Sequence, residues 1–213
     1  MPRARKATAR PAPVAPDGDR ERVPPQGDPK SRLIEAGLAL AARQGWRRTG
    51  MGEIARESGL PLAEAYALFR GRSALLAGFV RSIDEKVLDG GEPEGSPHDR
   101  LFDLLMRRFD ALKPHRPALK SIMRDSIGEP AALCGVPVML NSLAWMLEAA
   151  DISTAGWRGR ARVLALVGAY GAVFRTFLDD DSEDLARTMA ALDRRLRIRP
   201  FRPRPTNPAP VPA

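Results

Sequence analysis

Through the middle of the chain, apolar residues recur at spacings of three and four, the period of a helix buried along one face. Leu33, Ile34, Leu38 and Ala41 follow this spacing behind Asp28–Pro29. That pair reads as a capping carboxylate followed by a residue whose fixed φ suits the first helical position, and Gly45 supplies the stop. A second helix is predicted from about Met51 to Ser58, with Ile54 and Ala55 inward and Gly59 ending it. A third, very short one covers about Leu62 to Phe69. A fourth, capped by Ser73, carries Leu75, Leu76, Phe79, Val80 and Ile83. DGGEPEGSPHD (89–99) breaks the pattern.

Beyond the break, Leu101, Leu104, Leu105, Arg108, Phe109 and Leu112 mark a helix ended by Pro114. Further helices are expected at about Pro117–Ser126, Val136–Ala150, Trp157–Leu178 and Ser182–Arg197. No alternating strand pattern, hairpin signal or internal repeat is present, so the expected class is all-α with about nine helices. Residues 1–27 and 198–213 are rich in Pro and Arg and poor in large apolar groups. They cannot bury enough surface to offset the entropy of ordering, and both read as disordered tails. The expected organisation is a head at 28–86 and a larger helical body at 98–197 between them.

Composition adds a direction to this outline. Hydrophobic residues make up 44% of the 213, enough for a packed core. The net charge of +8 falls unevenly: +3 on 1–27, +3 on 28–86, −1 on 87–197 and +3 on 198–213. A positive front and a near-neutral rear suit a nucleic-acid partner on one side, although arginine-rich tails also serve solubility alone. Within the first tail, Arg3, Arg5, Lys6 and Arg10 form an arm that could enter a minor groove, or simply stay solvated. The single cysteine, Cys134, forms no internal disulfide and suits a reducing compartment. With His98 and His115 it gives no metal spacing. The longest apolar runs are broken short of a membrane span and no apolar stretch follows the basic start, so a soluble, cytoplasmic chain without stable membrane association is expected.

Helix, tight glycine turn and short helix, with Gly59 at the reversal, follow helix-turn-helix logic. Residues 30–86, with AGLALAARQGW, GEIARESGL and AYALFRGRSALLAGFV, resemble the TetR family of transcriptional regulators. The matching features are Ala36, Leu40, Gly45, Trp46, Thr49, Ile54, Ala55, Gly59, Tyr66, Phe69, Arg72, Leu75 and Leu76. The resemblance implies a three-helix DNA-binding head on a helical body, a homodimer on two half-sites of double-stranded DNA, and release by a small molecule. Its DNA-facing positions here are Arg47, Arg48, Thr49, Pro61, Leu62, Ala63, Glu64, Tyr66, Arg70 and Arg72. Arg72 falls where the family often has a phosphate-contacting lysine. Tyr66, Phe69, Ile54 and Leu76 also read as the core of a small head.

Three positions depart from the family pattern. Pro61 replaces a hydroxyl residue, removing a capping oxygen worth about 1 kcal/mol. Glu64 brings a carboxylate near phosphates, where it could instead accept from a cytosine amino group. Leu68 replaces a residue that often donates to the backbone, a loss of about 1 kcal/mol per half-site. Over a dimer that amounts to a roughly ten- to thirtyfold weakening.

On the longest predicted helix, Ala161, Ala165, Gly168 and Ala172 form a small-residue stripe that admits a close partner helix, here read as the dimer interface. A monomer burying both faces internally fits the pattern too. Residues 157–196 also resemble a ubiquinone-biosynthesis family with a TetR-like, lipid-binding fold, through Trp157, Arg160, Tyr170, an acidic loop and Asp193–Arg194. Met106, Phe109, Met123, Met139, Trp145, Met146 and Tyr170 are candidate walls for a small apolar or amphipathic effector, or ordinary core. His115 or Arg116, in the polar 112–117 link, could meet a ligand carboxylate or stay solvated. No phosphate loop, paired carboxylates or nucleophile motif is present, so no enzyme, cofactor or metal is expected. The DDDSED run (179–184) needs no ion, since acidic residues at a helix start favour its dipole.

Overall fold

A computed structural model of the chain describes residues 27–126 and 135–197. The basic arm, most of the first tail, Cys134 and the 198–213 tail lie outside the described residues. The rest is all-α: α1 (Pro29–Gln44), α2 (Met51–Ser58), α3 (Leu62–Leu68), α4 (Arg72–Leu88), α5 (Pro97–Leu112), α6 (Arg116–Ser126), α7 (Gly135–Ala149), α8 (Gly156–Leu178) and α9 (Ala186–Leu196). Short 3-10 turns at Trp46–Arg48 and Lys113–His115 link α1 to α2 and α5 to α6.

Local chemistry sets most of the boundaries. Asp28 accepts from the Ser31 amide at 3.4 Å, capping α1 ahead of Pro29. Ser96 Oγ accepts from the Asp99 amide at 3.3 Å, and the Ser96 amide donates back to Asp99 Oδ2 at 3.3 Å. This reciprocal cap starts α5 within the last residues of the 89–99 break. Gly59 ends α2 at φ +69°, in the left-handed region, and a Cβ there would stand 3.2 Å from the Arg32 guanidinium. Two predicted starts move. Gly71, not Ser73, precedes α4, which begins at Arg72. α9 begins at Ala186 rather than Ser182, because Leu185 turns at φ 55° and the acidic stretch before it forms a loop.

One continuous core joins head and body, running from Leu33, Ile54 and Leu75 through Leu105 and Phe109 to Phe177 and Leu192. α1 packs on α2, α4 and α6, while α8 lies between α7 and α9. At the head–body junction the Trp46 amide donates to Ser121 Oγ at 3.0 Å, and the Arg47 amide donates to Asp125 Oδ2 at 3.0 Å. The Arg47 amide bond is the main cause holding the Asp125 carboxyl below its usual range. α8 is, by length and composition alone, long and apolar enough to cross a membrane. Its packing between α7 and α9 accounts for the buried part of that composition, while Trp157 and Leu164 stay exposed on its outer side.

Candidate nucleic-acid interface and internal cavity

Ala65 is the fully buried residue of α3, and it anchors the short helix to the head. Everything around it faces outward: Pro61, Leu62, Ala63, Glu64, Tyr66 and Ala67 are exposed, Leu62 at 58% and Tyr66 at 63%. Tyr66 therefore belongs to the outer surface and not to the core of the head. Phe69 and Ile54 are core as expected, and Leu76 is partly buried against it. Pro61 sits at the start of α3 with no side-chain cap, as its chemistry requires. Leu68 is partly buried against the core, so it does not occupy the outward position that the loss of a backbone donor would require.

The cations divide into two groups. Arg47, Arg48 and Arg70 are exposed; Arg47 also donates from Nη2 to the Asp125 carbonyl at 3.3 Å. Thr49, expected to face DNA, is 1% exposed, and its hydroxyl donates to the Gly45 carbonyl at 2.9 Å. Such a threonine shapes the entry into α2 and offers no side chain to a groove. Arg72 is half-buried. Its Nη1 donates to the Trp46 carbonyl at 2.8 Å and the Thr49 carbonyl at 3.2 Å, and its guanidinium lies 5.3 Å from the Trp46 ring centroid. Arg72 thus fastens the link between α1 and α2 onto the start of α4.

Below this fastening lies a cavity of about 440 Å³ between α4, α6, α7 and α8. That is within the range of roughly 300–1,000 Å³ typical of small-molecule sites. Leu76, Val80, Leu119, Ile122, Val167 and Phe174 give it apolar walls, and Trp46 and Arg72 close its head side. Of the expected wall residues, Met123, Met139 and Tyr170 line it. Met106 and Phe109 do not: Phe109 is fully buried, its ring 5.1 Å from those of Tyr170 and Phe177, and Met106 packs against the core. Met146 is core as well, and Trp145 is 58% exposed on the outer side of α7. A methionine or aromatic at helical spacing cannot by itself separate cavity from core. A further hollow of about 560 Å³, bounded by Leu40, Arg56, Gly59 and Pro61, is open to solvent on the head.

Neither His115 nor Arg116 lines the cavity. The His115 ring meets Phe79 edge-on at 5.2 Å. Arg116 lies 5.0 Å from the Phe177 ring centroid and donates to the Asp180 carbonyl. The floor of the cavity holds a group that helical spacing alone did not single out. Arg108, 1% exposed, pairs with Asp84 and donates from Nε to the Tyr170 hydroxyl at 3.1 Å. Asp84 also accepts from Ser142 Oγ at 2.9 Å. Burial pushes the Tyr170 phenol up, and the Arg108 cation offsets part of that rise. The signal was an arginine in the apolar stripe of α5, a position that only a paired cation can hold.

The proposed dimer stripe runs along the outer side of α8. Ala161 and Gly168 are exposed, and Ala165 and Ala172 are half-buried. Beside them stand Trp157 at 76% and Leu164 at 62%, with Met189 of α9 at 41%. The acidic run behaves as a structural cap. Burial alone would raise the Asp180 carboxyl, but bonds from Ser182 and Thr188 outweigh it and hold the group at about 2. Among the described residues no group of three or more His, Cys, Asp or Glu could hold a metal ion.

Residues 33–78 match the family model described as bacterial regulatory proteins, tetR family. The TetR transcriptional regulator of Nitrosomonas europaea superposes with a TM-score of 0.65 at 20% identity, covering 80% of this chain and 96% of its own. The transcriptional regulator FadR from Bacillus subtilis, in complex with stearoyl-CoA, does so with a TM-score of 0.52 at 14% identity, covering 78% of this chain and 97% of its own. At these identities the likeness shows a shared fold. The chain is also 26% identical over 179 residues to the mitochondrial ubiquinone biosynthesis protein COQ9 of Drosophila melanogaster. That match covers 78% of this chain and 54% of the relative, so the chain spans about half the relative's length.

Proposed function

We propose that this protein is a ligand-responsive transcriptional regulator, a cytoplasmic repressor that binds a palindromic operator as a homodimer and acts by binding rather than catalysis. The head at 28–86 presents α3 to the major groove, with Leu62, Ala63, Glu64 and Tyr66 toward the bases. Arg47, Arg48 and Arg70 serve the phosphates. The body at 98–197 pairs through the α8 stripe and encloses the effector.

One observation carries the ligand-responsive part. Arg72 lines the cavity and at the same time holds the Trp46 and Thr49 carbonyls at the entry to α2. A ligand that engages Arg72 differently in two states of the protein shifts the head between them. In this reading Arg72 relays the state of the cavity to the head, and phosphate contact is left to the exposed arginines.

The likeness to the fly ubiquinone-biosynthesis protein favours a second reading, a lipid-binding accessory protein of the same fold without sequence-specific DNA binding. Fluorescence anisotropy of the full chain on duplexes flanking its own gene, against scrambled duplexes at rising salt, separates the two. The regulator reading expects tighter binding to one flanking duplex than to its scramble at every salt concentration. Affinity that falls steeply with salt but ignores sequence, together with co-purified isoprenoid lipid, sinks it.

A further inference from the structure

The cavity's charges are lopsided. Three arginines line it, Arg72, Arg108 and Arg175, and no carboxylate does so among the described residues. Arg108 is neutralised by Asp84. Among the described residues Arg72 donates only to neutral carbonyls, and Arg175, exposed on α8, makes no hydrogen bond or ion pair. Among the described residues, two guanidinium charges therefore border a largely apolar space without a counter-charge.

We propose that the cavity takes an anionic amphiphile, an acyl chain whose acidic head is held at Arg72 and Arg175 while its tail lies among Leu76, Val80, Met139 and Phe174. The proposal rests on reading the cavity as the effector site and adds the chemical class of the effector. The walls fit a tail because burial of each methylene is favourable and non-directional. The arginines fit a head group because a guanidinium beside low-dielectric walls makes its strongest bonds to carboxylate or phosphate oxygens. A neutral ligand of the same length would gain the walls and leave both charges uncompensated.

Calorimetry on the delipidated full chain without DNA tests this, so the outcome does not depend on whether the head recognises an operator. Dodecanoate at pH 8 is expected to bind at least tenfold more tightly than 1-dodecanol. Arg175→Gln is expected to weaken dodecanoate about tenfold and leave dodecanol unchanged, and Arg175→Lys to recover most of the loss. Because Arg175 is exposed, neither substitution threatens the core. Dodecanoyl-CoA as a third ligand identifies the source of the anion. Tighter binding than dodecanoate assigns it to the thioester's phosphates, and weaker binding assigns it to the free acid. Equal affinities for dodecanoate and dodecanol, an unchanged dodecanoate affinity in Arg175→Gln, or no binding of either anion overturns the proposal.

Discussion

A single carboxylate, Asp180, organises the approach to α9. It accepts from the Thr188 amide and hydroxyl at 2.7 Å each and from Ser182, and these bonds hold it at about 2, below the usual 3.8. A group depressed on folding contributes stability that is present above its unfolded value and lost as pH falls through its folded one. Here that window runs from about 4 down to about 2, and the contribution is on the order of 2 kcal/mol. Urea unfolding should show Asp180→Asn less stable than the parent by that amount at pH 7, with the gap closing by pH 2. A gap that stays constant with pH would mean the carboxylate's charge is not what matters. The sequence announced acidic residues near a helix start but not which one is buried, because Thr188 lies in the next helix and only the fold brings it to Asp180. The same limit hid Asp84, whose partner Arg108 lies on a different helix. Thr49, expected to face DNA, is buried, and Tyr66, read both as DNA-facing and as core, is exposed, for a related reason: motif landmarks fix position along the chain and not which way a side chain points.

Helices were the most legible level, since periodic apolar runs with caps need no tertiary knowledge. Asp28–Pro29, Gly59 and the 89–99 break all mark real boundaries. The two misplaced starts, at Ser73 and Ser182, are hydroxyls in plausible capping positions. α4 instead starts one residue earlier, at Arg72 behind an extended Gly71, and the buried Asp180 loop delays α9 to Ala186. Close helix contacts could not be read from sequence at all, and Gly78 of α4 is an example. A Cβ there would fall 2.7 Å from Phe69 Cε1 and 2.9 Å from Cζ, whereas one on Gly52 of α2 would meet nothing within 4 Å. Alanine in place of a helical glycine is worth about 1 kcal/mol where space is free, but overpacking costs about 1–3 kcal/mol. Gly52→Ala should therefore raise the urea midpoint and Gly78→Ala should lower it. Equal midpoints for the two variants would mean that Phe69 yields without cost and that α3 is not held by this contact.

At the scale of the whole molecule, head and body share one core and meet at Trp46, Arg72, Ser121 and Asp125. The existence of a pocket between the middle helices could be guessed from Met and aromatic residues. Its walls could not, because cavity and core use the same residue types: Met123, Met139 and Tyr170 line it while Met106 and Phe109 do not. What this architecture does with DNA depends on the outer face of α3, where Leu62, Glu64 and Tyr66 stand exposed around a buried Ala65. Selection of bound duplexes from a random pool by the full chain tests that face directly. A dimer reading sequence should enrich a two-fold symmetric motif whose half-sites lie about one helical turn, or a multiple of it, apart. Glu64→Ala should relax one position in each half-site. A retained pool indistinguishable from the input, at salt where binding persists, would contradict sequence recognition by this head.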